Sequence, residues 1–396
     1  MNTLKTLIKE KAKSYKEEVI VIRRHLHQNP ELSFEEFNTS KYVCDKLDDY
    51  GIEYQSGIVK TGIIGLIKGN NPNSKTIALR ADLDALPILE ENDVPYKSVN
   101  EGIMHACGHD VHTASLLGVA KILSKIKGQF EGTIKLIFQP GEERLPGGAS
   151  LMIKEGVLEN PAPESIIGQH VYPQLEAGKV GFRSGMYMAS ADEIFMTVKG
   201  KGGHAALPHL NVDPILITAH ILTALQQVVS RMSHPTTPTV LSFGKMIANG
   251  ATNIIPDKVE LEGTFRAMNE EWRAEAHTKM TKMAESIAES MGGECIFRIE
   301  KGYPFLVNDE LVTNNAKEAA IEFLGKENVI DLDLRMTAED FAYYSQIKPA
   351  CFYRLGIKSE SKNITSGLHT STFNIDESAI ETSIGLMAWI ALSELK

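Results

Sequence analysis

The run DVHTASLLGVAKILSKIKG (110–128), followed after a short break by TIKLIFQ (133–139), decides the fold class. In the first segment Leu116, Val119, Ala120, Leu123 and Ile126 recur at helical spacing, with Asp110 placed as an N-cap and Gly128 as a stop. The second is a short apolar run of the kind that forms a buried strand. Similar runs stand on either side: GIIGLI (62–67), TIALRA (76–81) and SIIGQHV (165–171). Strands alternating with helices predict an α/β domain with a mostly parallel central sheet.

From about residue 188 to 298 the rhythm changes. EIFMTVKG (193–200) reads as a strand, and a helix opens at Asp213-Pro214, with Ile217, Ile221, Leu225, Val228 and Met232 on one face. TVLSFGKMI (239–247) and KVELEGTFRA (258–267) follow as strands; a helix from about 270 to 291 stops at Gly292-Gly293, and CIFRIE (295–300) closes the unit. The order βαββαβ is ferredoxin-like. Beyond 300 the α/β character returns, ending in a helix from about 376 to 395. The expected organisation is therefore a catalytic α/β domain built from residues 1–187 and 299–396, interrupted by a smaller ferredoxin-like domain at 188–298.

A chain of 396 residues suits two domains, and its 43% hydrophobic and 23% charged content is that of a globular protein. The net charge of −10 and the absence of any Lys/Arg-rich block argue against a nucleic-acid or anionic-membrane surface. The N-terminal segment lacks the apolar core and cleavage site of a signal peptide, and the longest apolar stretch, around IGLMAWIAL, is too short to span a bilayer. Cys44, Cys107, Cys295 and Cys351 are scattered, which suits a reducing cytoplasm and excludes a four-cysteine zinc site.

Several residues carry chemistry. In MHACGHDVHTA (104–114), Cys107 and His109 lie two apart at a helix start, where both can converge on a metal and the helix end favours a thiolate; a buried cysteine beside a polar loop histidine would look the same. His105 and His112 read as packing or supporting residues. FQPGEER places Glu142 and Glu143 side by side after a buried strand, an arrangement that makes sense near a cation and otherwise describes a solvated turn. His170 follows a strand-like run, and His369 sits in a Gly/Ser/Thr-rich loop. Cys107, Glu143 and His170 all fall where strands end, and open α/β sheets bind ligands at the carboxyl ends of their strands.

RRHLHQNPELSFEE (23–36), LRADLDALPI (79–88), MHACGHDVHTA, FQPGEE, GQHV, GKGGHAALPH (200–209), NGATNIIPD (249–257), EDFAYY and LHTSTFNIDE together resemble the amidohydrolase branch of the dinuclear-metal aminoacylase/carboxypeptidase family. That branch includes hippurate hydrolases, N-acyl-L-amino acid amidohydrolases and indole-acetyl-amino acid hydrolases, and the likeness runs from about residue 20 to 390. It implies two divalent metal ions per subunit, Zn, Mn, Co or Ni, held by Cys107, His109, Glu143, His170 and His369. Cys107 takes the place of an aspartate that bridges the metals in more distant relatives. Glu142 is implied as the general base on a metal-bridging water, and Asp82 and Asp84 as residues that orient the ligands. The inserted domain resembles the family's lid and dimerisation domain. His204 would reach the partner subunit's site to stabilise the oxyanion, while Asn253 and Arg266 match positions that hold the substrate carboxylate. LHTSTF departs from relatives that often carry Asn or Ser and then Pro after the histidine, a difference that bears on pocket shape.

The implied function is a cytoplasmic, homodimeric, metal-dependent amidohydrolase acting on small N-acyl-L-amino acids, with no nucleic-acid or membrane partner. A dipeptidase, a carboxypeptidase or an N-acetyl-diaminopimelate deacetylase of the same family is the near alternative. A cysteine hydrolase using Cys107 with His109 or His105 would leave Glu142, Glu143, His170 and His369 without a task. A non-catalytic binding protein that keeps the fold is the remote alternative.

Overall fold

A computed structural model describes residues 2–396. The chain forms two compact units: one comprises Met1–Tyr187, Val307–Leu334 and Asp340–Lys396, the other Met188–Leu306 and Arg335–Glu339.

The larger unit opens with helices α1 (Asn2–Gln28) and α2 (Phe37–Tyr50) and strands β1 (Glu53–Ile58), β2 (Gly62–Lys68) and β3 (Thr76–Asp82). Helix α3 (His109–Lys125), β4 (Thr133–Gln139), α4 (Gly148–Lys154), β5 (Ser165–Glu176) and β6 (Val180–Phe182) follow. The smaller unit contains β7 (Asp192–Lys199), α5 (Pro214–Gln227), β8 (Thr239–Ile247), β9 (Lys258–Ala267), α6 (Glu270–Ser290) and β10 (Glu294–Lys301). The chain then returns through α7 (Glu310–Leu324), β11 (Val329–Asp331), β12 (Ala350–Lys358) and α8 (Ala379–Glu394).

The eight-stranded sheet of the larger unit has the order β1-β2-β4-β3-β5-β12-β6-β11. Its centre is parallel, β4 with β3, β3 with β5 and β5 with β12, whereas β1, β2 and β4 pair antiparallel, as do β12 and β6. The expected α/β class holds, with a sheet parallel at its centre and mixed towards its edges. Strands β3 and β4 are buried throughout, as a sheet covered on both faces requires. Helix α3 is apolar on nearly every side: Val111, Leu116, Leu117, Val119, Ala120, Ile122 and Leu123 are all inaccessible, and it packs against α1, α8 and the sheet.

Two local expectations about α3 change. Asp110 is not its N-cap: Gly108 holds that position in the left-handed region with no side-chain cap. The Asp110 carboxylate instead accepts hydrogen bonds from Arg23 Nε at 2.7 Å and His27 Nδ1 at 2.8 Å, two buried groups on α1. A buried cation captures a carboxylate more strongly than the free amides of a helix end. The helix also stops at Lys125, before Gly128, and a 3-10 turn at Lys127–Gln129 follows.

In the smaller unit β8-β9-β7-β10 form an antiparallel sheet, the strand order of a ferredoxin-like unit. Asp213 caps α5 by accepting from the amides of Ile215 and Leu216, a contact that contributes about 1 kcal/mol at such positions. Ile217, Ile221, Leu225 and Val228 form its buried face in the unit's core. Continued by a π-helical stretch, Val228–Met232, this helix forms a longer apolar span than the C-terminal run. Pro214–Met232 is the one span among the described residues long and apolar enough to cross a membrane, and in this structure its apolar face packs in a protein core.

Candidate metal centre

The parallel pair β3 and β4 ends in register, Asp82 opposite Gln139. The chain beyond β3 delivers Asp84, and the chain beyond β4 delivers Glu142 and Glu143. His170 lies within β5 rather than after it, two residues past Gly168, where the pairing of β5 with β3 ends. All four carboxylates therefore gather at the carboxyl end of the parallel strands, beside His170.

Gly108 turns the chain from Cys107 into α3 at φ +85, and a Cβ there would lie 2.5 Å from Val171 Cγ2. A left-handed conformation alone disfavours an L-residue by roughly 1–2 kcal/mol, and the contact with Val171 adds to that. Gly108→Ala is thus expected to lower both the melting temperature and metal content, measured by calorimetry and elemental analysis. His369 itself adopts a left-handed φ of 59, a strained state for a histidine, and its amide donates to the Ala106 carbonyl at 2.8 Å. The two distant segments that carry Cys107 and His369 are joined there by backbone.

Two groups of donor atoms result, each with its atoms within 4.8 Å of one another: Cys107, His109 and His170, and Cys107, Glu143 and His369. Cys107 is common to both. Its Sγ lies 3.5 Å from His170 Nε2, and Glu143 Oε1 lies 3.2 Å from His369 Nε2 and 3.9 Å from His109 Nε2. Glu142 joins His109 and Glu143 in a further group at the same spacing. His112 forms another with Asp82 and His109, but its ring is already engaged on both sides. Nδ1 meets Asp82 Oδ1 at 2.6 Å, and Nε2 accepts from the Val171 amide at 2.9 Å.

The histidine rings are set for ligation. His170 Nδ1 faces the Val171 carbonyl at 2.8 Å, and His109 Nδ1 faces the Asp84 carbonyl at 2.9 Å. Each Nδ1 must then carry the proton, which leaves an Nε2 lone pair directed into the centre. His109 Nε2 is buried with no hydrogen-bond partner, and such an orphan costs about 1–3 kcal/mol unless something else binds it. A divalent cation fits this position, and the mixed thiolate, imidazole and carboxylate set is one that transition metals accept.

The electrostatics separate the histidines: His170 is held neutral, while His109 and His369 favour a proton that a bound metal would displace. Burial, and then Arg354, hold His170 well below the ordinary histidine value, in its neutral ligating form. Burial alone would lower His109 too, but Asp82, Cys107 and Asp84 raise it well above. Contacts with Cys107 and Glu143 push His369 up to about 10. Burial and Glu143 raise the Cys107 thiol. The centre thus holds more negative potential than its own cations balance, and a metal would supply the missing charge and ionise the thiol.

Asp84 supports this centre twice. Its Oδ1 lies 3.2 Å from His109 Nδ1, while Oδ2 accepts from the Glu143 amide at 3.0 Å and Ser33 Oγ at 2.6 Å. Asp82 is held well below the usual carboxylate range against its burial, first by His109, then by His112 and Arg80. His105 is also buried, and burial brings it down to about 4. Glu36, to which the sequence reading assigned no role, accepts from the Gly141 amide at 2.8 Å and from Thr61 Oγ1 at 2.7 Å.

His204, Asn253 and Arg266 lie in the smaller unit. His204 pairs with Ile254 across a two-residue ladder, and the Asn253 carbonyl accepts from the Ala205 amide, so these two are neighbours. Arg266 is half-buried on β9, its Nε donating to Thr264 Oγ1 at 3.1 Å. It lines a hollow of about 440 Å³ with Glu193, Phe195, Lys245 and Glu262.

An α/β sheet that gathers a thiol, imidazoles and paired carboxylates at its strand ends is the framework of a metal-dependent hydrolase. The chain belongs to peptidase family M20/M25/M40, whose model matches residues 78–393. It is 42% identical over 301 residues to an N-acyl-L-amino acid amidohydrolase of Geobacillus stearothermophilus, covering 76% of this chain and 80% of that one. It is 38% identical over 389 residues to thermostable carboxypeptidase 2 of Saccharolobus solfataricus, covering 98% and 97%. Among solved structures, a dinuclear metal-binding peptidase of the M20 family from Bacillus subtilis matches with a TM-score of 0.83 at 35% identity, over 97% of this chain and 99% of that one. The protein is accordingly an amide-cleaving metallohydrolase of small molecules that uses divalent metal ions.

Proposed function

We propose that the protein hydrolyses the amide bond of N-acyl-L-amino acids, and that Cys107, His109, Glu143, His170 and His369 would hold two divalent ions, Cys107 being the donor common to both groups. The observation that carries this reading is that Cys107 belongs to both three-residue donor groups while Glu142 stands beside them. When bound, the metal pair supplies Lewis acidity for the scissile carbonyl and acidifies water. The Glu142 carboxylate takes a proton from the attacking water as its oxygen bonds to the acyl carbon. It then gives that proton to the amine nitrogen as the C–N bond breaks, releasing a carboxylic acid and an amino acid. Arg266 and Asn253 hold the amino acid's carboxylate, for which a guanidinium offers paired donors.

His204 stabilises the oxyanion from the second subunit of a homodimer. Its Nδ1 accepts from the Ala206 amide at 3.1 Å, so the proton sits on Nε2, available for donation. The dimer forms through the smaller unit, where Ile215 and Leu216 of α5 are 40% and 52% exposed and β8 is a sheet edge with Met246 uncovered. Light scattering should return twice the 43.6 kDa chain mass, and Leu216→Asp should move it towards one. A monomeric wild type would remove the dimer and the role of His204 in it. With four free cysteines the protein suits the cytoplasm.

The metals are Zn, Mn, Co or Ni, which elemental analysis of the purified protein distinguishes. The substrate test is a panel of N-acetyl and N-benzoyl amino acids, dipeptides and N-acetyl-diaminopimelate. Turnover concentrated in the N-acyl amino acids supports this reading. Activity confined to dipeptides or to the diaminopimelate derivative would replace it with a peptidase or deacetylase, a reading that the carboxypeptidase relative keeps in view.

A further inference from the structure

Glu142 and Glu143 lie on the loop that leaves β4 at Gln139 and re-enters regular structure in α4. Its neck is narrow: the Gly148 amide donates to the Gly141 carbonyl at 2.9 Å, and a Cβ on Gly148 would fall 1.7 Å from the Pro140 carbonyl oxygen. One buried carboxylate, far along the chain, grips both ends of this loop. Asp340 accepts from Gln139 Nε2 at 2.9 and 2.8 Å and from the Ala149 amide at 2.9 Å. Its backbone amide also lies 3.3 Å from Glu142 Oε1, as donor.

Asp340 is inaccessible to solvent, and a buried charge of this kind needs a partner. Arg80 supplies it: NH2 donates to Asp340 Oδ1 at 2.7 Å, Nε to Gln139 Oε1 at 2.9 Å and NH1 to Asp82 Oδ2 at 2.6 Å. Arg80, a charged residue in the buried strand β3, is thus the post to which the loop is fastened.

We propose that Asp340 is a positioning residue for proton transfer: it fastens the Glu142 loop at both ends and orients the Glu142 carboxylate through its own amide. This rests on Glu142 being the general base. Its action is separable from metal binding, because the Glu143 amide is held independently by Asp84 Oδ2 at 3.0 Å and the other donors lie outside the loop. An acyl amino acid should still bind, while the base is misplaced for the step that follows.

The test uses the full-length, metal-loaded protein. Asp340→Asn is expected to lower kcat by about 10–100-fold, the usual effect of removing a supporting partner at a metal site, with KM within about twofold and metal content unchanged. The double variant Gln139→Glu/Asp340→Asn moves the carboxylate across the same hydrogen bond, still against Arg80, and is expected to regain about tenfold of that loss. A residue needed only for folding would change KM, metal content and melting temperature together, and the swap would not restore kcat alone. An Asp340→Asn enzyme within about twofold of wild type in kcat, metal lost in step with activity, or a folded swap no faster than the single variant would each overturn the proposal. Glu142→Gln is assayed beside them. If it stays active, the base reading fails and this inference falls with it. If it is inactive while Asp340→Asn behaves as wild type, only the positioning role fails.

Discussion

Glu142→Gln is expected to lower kcat by roughly 10²–10⁴-fold, the range that a positioned acid–base group contributes, while metal content stays at the wild-type level. The two neighbouring carboxylates differ in surroundings. Glu143 Oε1 lies 3.2 Å from His369 Nε2 and 3.9 Å from His109 Nε2, inside the donor cluster, whereas Glu142 Oε1 is met by the Asp340 amide. Glutamine fills the same space and can keep accepting from that amide, so folding and substrate binding should survive. It cannot accept the proton from water. Metal analysis alongside steady-state kinetics separates the two carboxylates: Glu143→Gln should lose metal as well as rate. Turnover near the wild-type level in Glu142→Gln would remove it as the base.

Cys107→Ser should have the broadest effect of any ligand substitution. Every other donor belongs to one of the two three-residue groups, but Cys107 is in both, so its loss weakens both ions together. A serine hydroxyl ionises far less readily than a thiol and is a poor ligand for soft or borderline metals. The expected result is loss of bound metal after gel filtration and a fall in kcat/KM of at least about 10³-fold. Cys107→Asp should hold metal better than Cys107→Ser, since a carboxylate retains the charge and can bridge. A serine variant that kept its full metal complement would show that the sulfur is not shared.

Much of the architecture follows from periodicity. Helix α5 was marked by Asp213-Pro214 and by apolar residues every three to four positions, and the structure places the Asp213 cap there. The four strands β2 to β5 read correctly because apolar runs of that length have few other uses, whereas β1, β6, β11 and β12 were not singled out. What periodicity could not show is where polar side chains turn once buried. Asp110 looks like a cap from its position, yet its carboxylate goes to Arg23 and His27, more than eighty residues earlier. Likewise, Arg80 and Asp340 are separated by most of the chain, and nothing local announces their pairing. The available signal was the arginine in the middle of the buried strand TIALRAD, since a charge buried there must find anions, of which the neighbouring Asp82 is only one. Cys107, His109, Glu143, His170 and His369 were picked out by residue type and by resemblance, and the fold draws their donor atoms together. His204, Asn253 and Arg266 were picked out only by resemblance, and they lie on the other unit.

The position of β12 has a consequence for synthesis. It lies between β5 and β6, strands made long before it, so the sheet cannot close until Ala350–Lys358 has left the ribosome. Until then β5 and β6 present open edges of the sort that recruit other chains, and chaperone shielding during translation would guard against that. The same delay keeps His369 away from Ala106, to whose carbonyl its amide is finally tied. A nascent chain that has not yet reached His369 therefore lacks one of the candidate donors beside Cys107.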